Sequence, residues 1–260
     1  MEFKSIGQAK KETGLSYLGS INSSAKIIKN QIVSNNYTYI IYLAPANQSG
    51  YNICSHSTPE CRLGCLNTSG RSKMEFKDGC VKRIQKARIK KTKLFIEDQD
   101  YLMNWLIAEM TLAEKKAIRN NFDFSVRLNG TSDIDWAKIK LNGQNIFNIF
   151  PNTVFYDYTK NPQKIFNDVT NYHLTFSYSG HNAVTCKKLL SHGYNIAVVF
   201  DTKKGEKLPN TFMGYPVIDG DLTDFRPNDE KGVVVGLRWK KIADKKIEKE
   251  ILNSPFVVKA

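Results

Sequence analysis

The chain has 260 residues, 41% of them hydrophobic, which is long and apolar enough for one well-buried α/β domain, and no Pro/Ser-rich linker divides it. Lys and Arg (38) outnumber Asp and Glu (25), and the resulting formal charge of +13 favours anionic partners such as nucleic acid, nucleotides or acidic proteins. No run approaches the length of a membrane span and MEFKSIGQAKKETG lacks an apolar core after its charges. A membrane protein and a disulfide-stapled secreted protein are therefore excluded, and a cytoplasmic location with reduced thiols is expected.

Residues 1–24 are polar, with an apolar cluster at Leu15, Tyr17, Leu18 and Ile21, and read as an arm packed on the body. Tyr37–Leu43 is β-branched and aromatic and stops before Pro45, as a buried strand does. The stretch from Asn52 to Cys80 follows and carries four of the five cysteines. Cys54, Cys61 and Cys65 lie among Ser, Thr, Pro, Gly and Asn, so their backbone is expected to be a loop able to wrap a small object.

Such a group has three explanations: a metal or cluster site, a redox pair, or coincidence. Zinc takes two short Cys/His hooks from separate turns, and here only Cys61 and Cys65 make one. An iron–sulfur cube is less strict, because thiolates approach the corners of a larger object from one loop. A cluster is therefore favoured over zinc and over unmetallated cysteines, with Cys80 and His56 as candidates for a fourth ligand.

Beyond the loop, VKRIQKARIKKTK at 81–93 predicts a basic helix whose narrow apolar stripe runs through Val81, Ile84, Ala87 or Arg88, and Ile89. Its cations form either a solvated covering face or a phosphate-binding surface made by Lys82, Arg83, Lys86, Arg88, Lys90 and Lys91. Residues 98–121 predict a long helix, capped by Asp98 or Asp100, with Leu102, Trp105, Leu106, Met110 and Leu112 turned to the core.

From there, short apolar runs at Phe124–Leu128, Thr153–Tyr156, His173–Phe176, Asn195–Phe200, Tyr215–Ile218 and Gly232–Leu237 alternate with segments of helical length. Serial βα units imply a parallel sheet. With no Gly-rich dinucleotide turn in sight, the expectation is a single α/β domain built as a TIM-like βα barrel, complete or incomplete, with the cysteine-rich loop after its first strand.

In a parallel barrel, chemistry gathers where strands end. The exits here carry Asn129 to Asp133, then Asp157, Tyr158 and Lys160, then Ser177, Ser179 and His181, and lastly Asp201, Asp219, Asp221 and Asp224. Ser132, Asp201 and Asp224 read as caps or turn residues. Asp157 and Tyr158 combine a carboxylate with a phenolic donor and, with Asp133, are the catalytic candidates. His173, His192 and Cys186 read as structural, whereas His56 is placed to ligate the cluster or to donate to its sulfide and His181 to donate or accept protons.

Cys54-Ser-His-Ser-Thr-Pro-Glu-Cys61-Arg-Leu-Gly-Cys65-Leu-Asn-Thr-Ser-Gly-Arg71 resembles the cysteine loop of the phage-encoded gene product 88 family. Ala87–Thr92, Val126–Asp133, Phe155–Lys160 and Val217–Asp221 are similar to that family as well. The resemblance implies a phage protein of the host cytoplasm, with a radical-SAM-like barrel and a [4Fe-4S] cluster held by Cys54, Cys61 and Cys65. The three-cysteine motif of radical SAM enzymes is tighter than this one, a departure that weighs against SAM as a cofactor. A cube held by three thiolates leaves one iron open to a substrate, to water or to SAM. The leading expectation is thus an iron–sulfur enzyme acting on a small or anionic substrate by radical-SAM-like or hydrolytic, Lewis-acid chemistry. The alternative is a nucleic-acid-binding accessory protein with a structural cluster or zinc ion.

Overall fold

A computed structural model describes residues 1–21, 25–65, 83–242 and 244–260. Its N-terminal arm forms α1 (Ile6–Thr13), capped by the Ser5 hydroxyl and ended by Gly14 at a left-handed φ of 64°. The short β1 (Gly19–Ser20) follows, then α2 (Ala25–Ser34) and β2 (Asn36–Ile41). After the cysteine-bearing segment with α3 (Pro59–Leu63) come α4 (Arg83–Glu97), α5 (Gln99–Arg119) and β3 (Asp123–Arg127). The remaining elements are α6 (Ile146–Ile149), β4 (Val154–Thr159), α7 (Pro162–Ile165), β5 (Tyr172–Ser177), α8 (Ala183–Ser191), β6 (Ile196–Phe200), β7 (Thr211–Phe212), β8 (Tyr215–Asp219), β9 (Val234–Arg238), α9 (Lys245–Leu252) and β10 (Val257–Val258).

All seven expected strands are present, and the described strands join in one mostly parallel sheet ordered β1-β2-β3-β4-β5-β6-β9-β8-β7. Only the β1–β2 and β7–β8 pairs are antiparallel. The sheet is open along this path rather than closed on itself. Its register is staggered: Thr159 at the end of β4 pairs with Phe176, whereas Phe176 pairs with Ile196 at the start of β6. Higher up, β10 takes the same side of β6 through Val257 and Val199.

Side chains alternate across a strand, so each strand has two faces to satisfy. One face is apolar. Tyr39, Ile41, Val126, Leu128 and Phe155 pack under the stripe of α5 formed by Leu102, Trp105, Leu106 and Met110, while Phe176, Ile196, Val198 and Phe200 pack with Cys186, Leu189 and Leu190 of α8. Each large side chain buried there contributes roughly 1.5–3 kcal/mol, so this face supplies most of the cohesion. Asp98 caps α5 as expected, accepting from the Tyr101 amide. Leu112 differs from expectation: it is 58% exposed, one step off the stripe.

The basic helix also turns differently. On α4 the buried residues are Lys91, Thr92, Leu94 and Phe95, and Ile84 is exposed. The Thr92 hydroxyl fixes this rotation by accepting from the Ala44 amide at 2.9 Å, just past β2.

Candidate cofactor site and the inner face of the sheet

The chain leaves β2 at its C-terminal end and runs over the neighbouring strand exits. Gly130 lets this happen, because a Cβ there would lie 2.7 Å from both the Ile41 carbonyl oxygen and the Tyr42 ring. Ile53 accepts from the Asp133 amide at 3.0 Å, and the Cys54 thiol lies 3.9 Å from the Thr131 carbonyl, so Cys54 sits at the β3 exit. Thr58 caps α3, Glu60 reaches His181 beyond β5 at 3.5 Å, and Cys61 packs with Trp239, Ile242 and Ile251 near the β9 exit. Cys65 lies within electrostatic reach of Arg88, whose guanidinium stands 4.8 Å over the Tyr42 ring.

All three thiols are half-buried and no disulfide joins the described cysteines. Burial raises the Cys54 pKa, and Asp133 and Cys61 add to the shift, which puts Cys54 and Cys61 within reach of each other's charge. The donor chemistry therefore suits a thiophilic centre. Among the described residues, however, no three Cys, His, Asp or Glu side chains gather tightly enough to hold a single metal ion. His56 is exposed, with Nδ1 3.0 Å from the Ser55 hydroxyl, and Cys80 lies outside the described residues.

The three catalytic candidates take different places. Asp133 accepts from the Thr159 hydroxyl, the Lys160 amide and, at 2.6 Å, Lys164 Nζ, so it braces the β4 exit beside Cys54. Asp157 is fully buried on the apolar face. It accepts from the Leu128 and Asn129 amides and from the Tyr172 hydroxyl, and burial pushes its pKa up to about 6 against the pull of Arg127. Tyr158, one residue on, points to the opposite face, and the two do not converge on a common point as a catalytic pair.

That opposite, inner face was not anticipated. Register aligns Thr38 with Ser125 and Ile40 with Arg127, and Tyr156 and Tyr158 continue the same side. Arg127 Nη1 donates to Asp224 at 2.6 Å, and its Nε lies 3.6 Å from Asp157. Burial opposes the Arg127 charge, but Asp224 and Asp157 outweigh it and hold the guanidinium protonated. Burial alone would raise the Asp224 pKa, and Arg127 and Lys26 reverse this, leaving it lowered. Asp224 is thus a buried ion-pair partner and not a helix cap.

Asn30 of α2 closes the network. Its amide donates to Thr38 and Tyr156 and accepts from the Thr223 hydroxyl and the Asp224 amide. The signal for this face lay in the period-two spacing of Ser125 with Arg127 and of Tyr156 with Tyr158.

Of the six cations considered for phosphate contact, Arg83, Lys86 and Lys90 are exposed and Arg88 is half-buried. Lys91 is buried, donating to the Leu18 carbonyl beneath the Tyr17 ring. Lys82 lies outside the described residues.

These features define a mixed α/β protein with a mostly parallel sheet and a buried ionic network on its inner face. The chain belongs to the gene product 88 family, a phage family whose model matches residues 4–251. No curated protein and no solved structure matches it. Among the described residues, no helix is long and apolar enough to cross a membrane.

Proposed function

We propose that the protein is an iron–sulfur enzyme in which Cys54, Cys61 and Cys65 hold a [4Fe-4S] cluster at the strand exits of an incomplete βα barrel. The observation that carries this reading is the course of the cysteine segment, which links the exits of β2, β3, β5 and β9 while keeping three thiols half-buried. Contact across the concave side, from α2 to Thr223 and Asp224, supports the incomplete barrel. When bound, such a cluster supplies an iron without a protein thiolate, suited to SAM-dependent electron transfer or to Lewis-acid hydrolysis. Asp133 and its partner Lys164 keep the β4 exit rigid beside Cys54.

Anaerobic preparation with iron and sulfide analysis, absorption and EPR tests the reading. The expected result is a brown protein that loses its iron in each of Cys54→Ala, Cys61→Ala and Cys65→Ala and keeps it in Cys80→Ala. Iron-free protein from anaerobic cells would overturn the cluster, and iron loss in Cys80→Ala would overturn the open corner.

A second reading, contact with nucleic acid, is favoured by the exposure of Arg83, Lys86 and Lys90 at helical spacing along α4. It expects DNA or RNA binding whose affinity falls steeply with salt. A triple Gln variant at these positions should flatten the salt slope by about three contacts; an unchanged slope refutes the reading.

A further inference from the structure

Below their short pairing, β5 and β6 part, and a cavity of about 150 Å³ opens between Tyr172–Thr175 and Gly193–Asn195. This is the end of the sheet opposite the cysteine loop. His173, Thr175, Tyr194, Arg226, Asp229 and Lys231 line it. At roughly 30 Å³ per water, it has room for about five waters, enough for a carboxylate or phosphate group and too little for a nucleotide.

The polar atoms here are unusually short of partners. Among the described residues, the buried side-chain atoms without a hydrogen bond include three of the cleft's own, Arg226 Nε and Nη1 and Asp229 Oδ2. Arg226 Nη2 donates to the Thr223 carbonyl, while Nη1 meets Asp229 Oδ2 at 3.2 Å as an ion pair without hydrogen-bond alignment. Arg226 is 5% exposed, so these donors are cut off from bulk water. Tyr158 lies within the electrostatic reach of Arg226, Arg127, Asp224 and Asp229, and its register partner Thr175 is on the cavity wall. Buried polar atoms are rarely orphaned, and a cluster of them marks a place where a bound group completes the hydrogen bonding.

We propose that this cleft is a binding site for a small oxyanion, a carboxylate or phosphate, anchored by Arg226, with Lys231 at its rim. Charge decides the class of ligand. Arg226 and Lys231 oppose the single carboxylate of Asp229, whose pKa is raised by burial, and the Lys231 charge and burial both keep His173 toward its neutral form. The lining is net positive, and its strongest unused groups are donors.

Titration calorimetry of the full chain with sodium phosphate and with sodium acetate, at constant ionic strength and with chloride as the blank, tests the site. One or both anions should bind, and the responding arm identifies phosphate or carboxylate. Lys231→Gln should weaken binding severalfold and Arg226→Lys at least tenfold. If Arg226→Lys does not fold, Thr175→Val and the exposed Lys231→Gln decide the matter. No heat with either anion, or undiminished affinity in these variants, overturns the proposal. Cys54→Ala protein should bind the anion as wild type does, because the cleft opens at the N-terminal end of β5 and β6 while Cys54 sits past the C-terminal end of β3, so failure of the cluster and failure of the cleft are separable.

Discussion

Lys91 carries a charge in a place that water does not reach. Burial lowers its pKa to about 8, with Glu109 opposing the shift and Arg88 adding to it. Its compensation is the Leu18 carbonyl and the Tyr17 ring. Between pH 8 and its ordinary value of 10.5 the unfolded chain holds this proton and the folded chain releases it, so stability rises with pH across that window. The full effect is about 3 kcal/mol. Urea titrations of wild type and Lys91→Met should therefore diverge in wild type's favour as pH rises from 8 to 10. Parallel curves would mean that Lys91 is solvated in the folded protein. Charge was legible at this residue and its direction was not. VKRIQKARIKKTK shows where the cations are, but only the rotation fixed by Thr92 and Leu94 decides that Lys91 turns inward while Lys90 stays in water.

At the level of elements, the strands were legible because each is a short β-branched or aromatic run bounded by Asn, Gly, Pro or Asp. Six of the seven stand within one or two residues of where the pattern put them, β4 runs three residues farther, to Thr159, and α5 begins at its Asp98 cap. What the pattern obscured was sidedness. VFYDYT reads as one apolar strand with a polar tail, yet Phe155 and Asp157 share the helix-covered face while Tyr156 and Tyr158 share the inner one. Asp157 survives among apolar neighbours because two backbone amides and Tyr172 donate to it. Helix α2 escaped notice altogether, since AKIIKNQIVS has only a modest apolar stripe and exposes Ile32 and Val33. Its place is fixed chiefly by Asn30, whose bonds to Tyr156, Thr223 and Asp224 no local window contains, with Lys26 paired to Asp221 and Asp224. The cysteine segment was expected to be a loop, yet Cys61 lies in helix α3, and its course toward β9 needs Gly64, where a Cβ would lie 3.3 Å from the Trp239 ring and 3.5 Å from Ile251.

Across the whole molecule, the apolar face and the inner face do different work. The helices hold β2 through β6 by hydrophobic burial, but the segment after β8 is tied to β3 through a charge pair, Arg127 with Asp224, supplemented by Lys26 at 3.5 Å. A buried pair of this kind stabilises little relative to a well-packed apolar replacement, yet removing one partner strands the other charge and costs about 3–5 kcal/mol. Arg127→Met and Asp224→Leu should each lower the unfolding free energy extracted from urea titrations by an amount in that range. The double variant should recover much of the loss, giving a coupling above about 2 kcal/mol in the cycle. Because the pair joins sequence-distant strands across the concave side, each single variant should also let the segment after β8 exchange its amide hydrogens earlier than β2–β6, where wild type opens as one unit. Additive single effects below about 1 kcal/mol would show that the segment is held by its β8–β9 pairing alone and that the inner-face charges serve a ligand and not the fold.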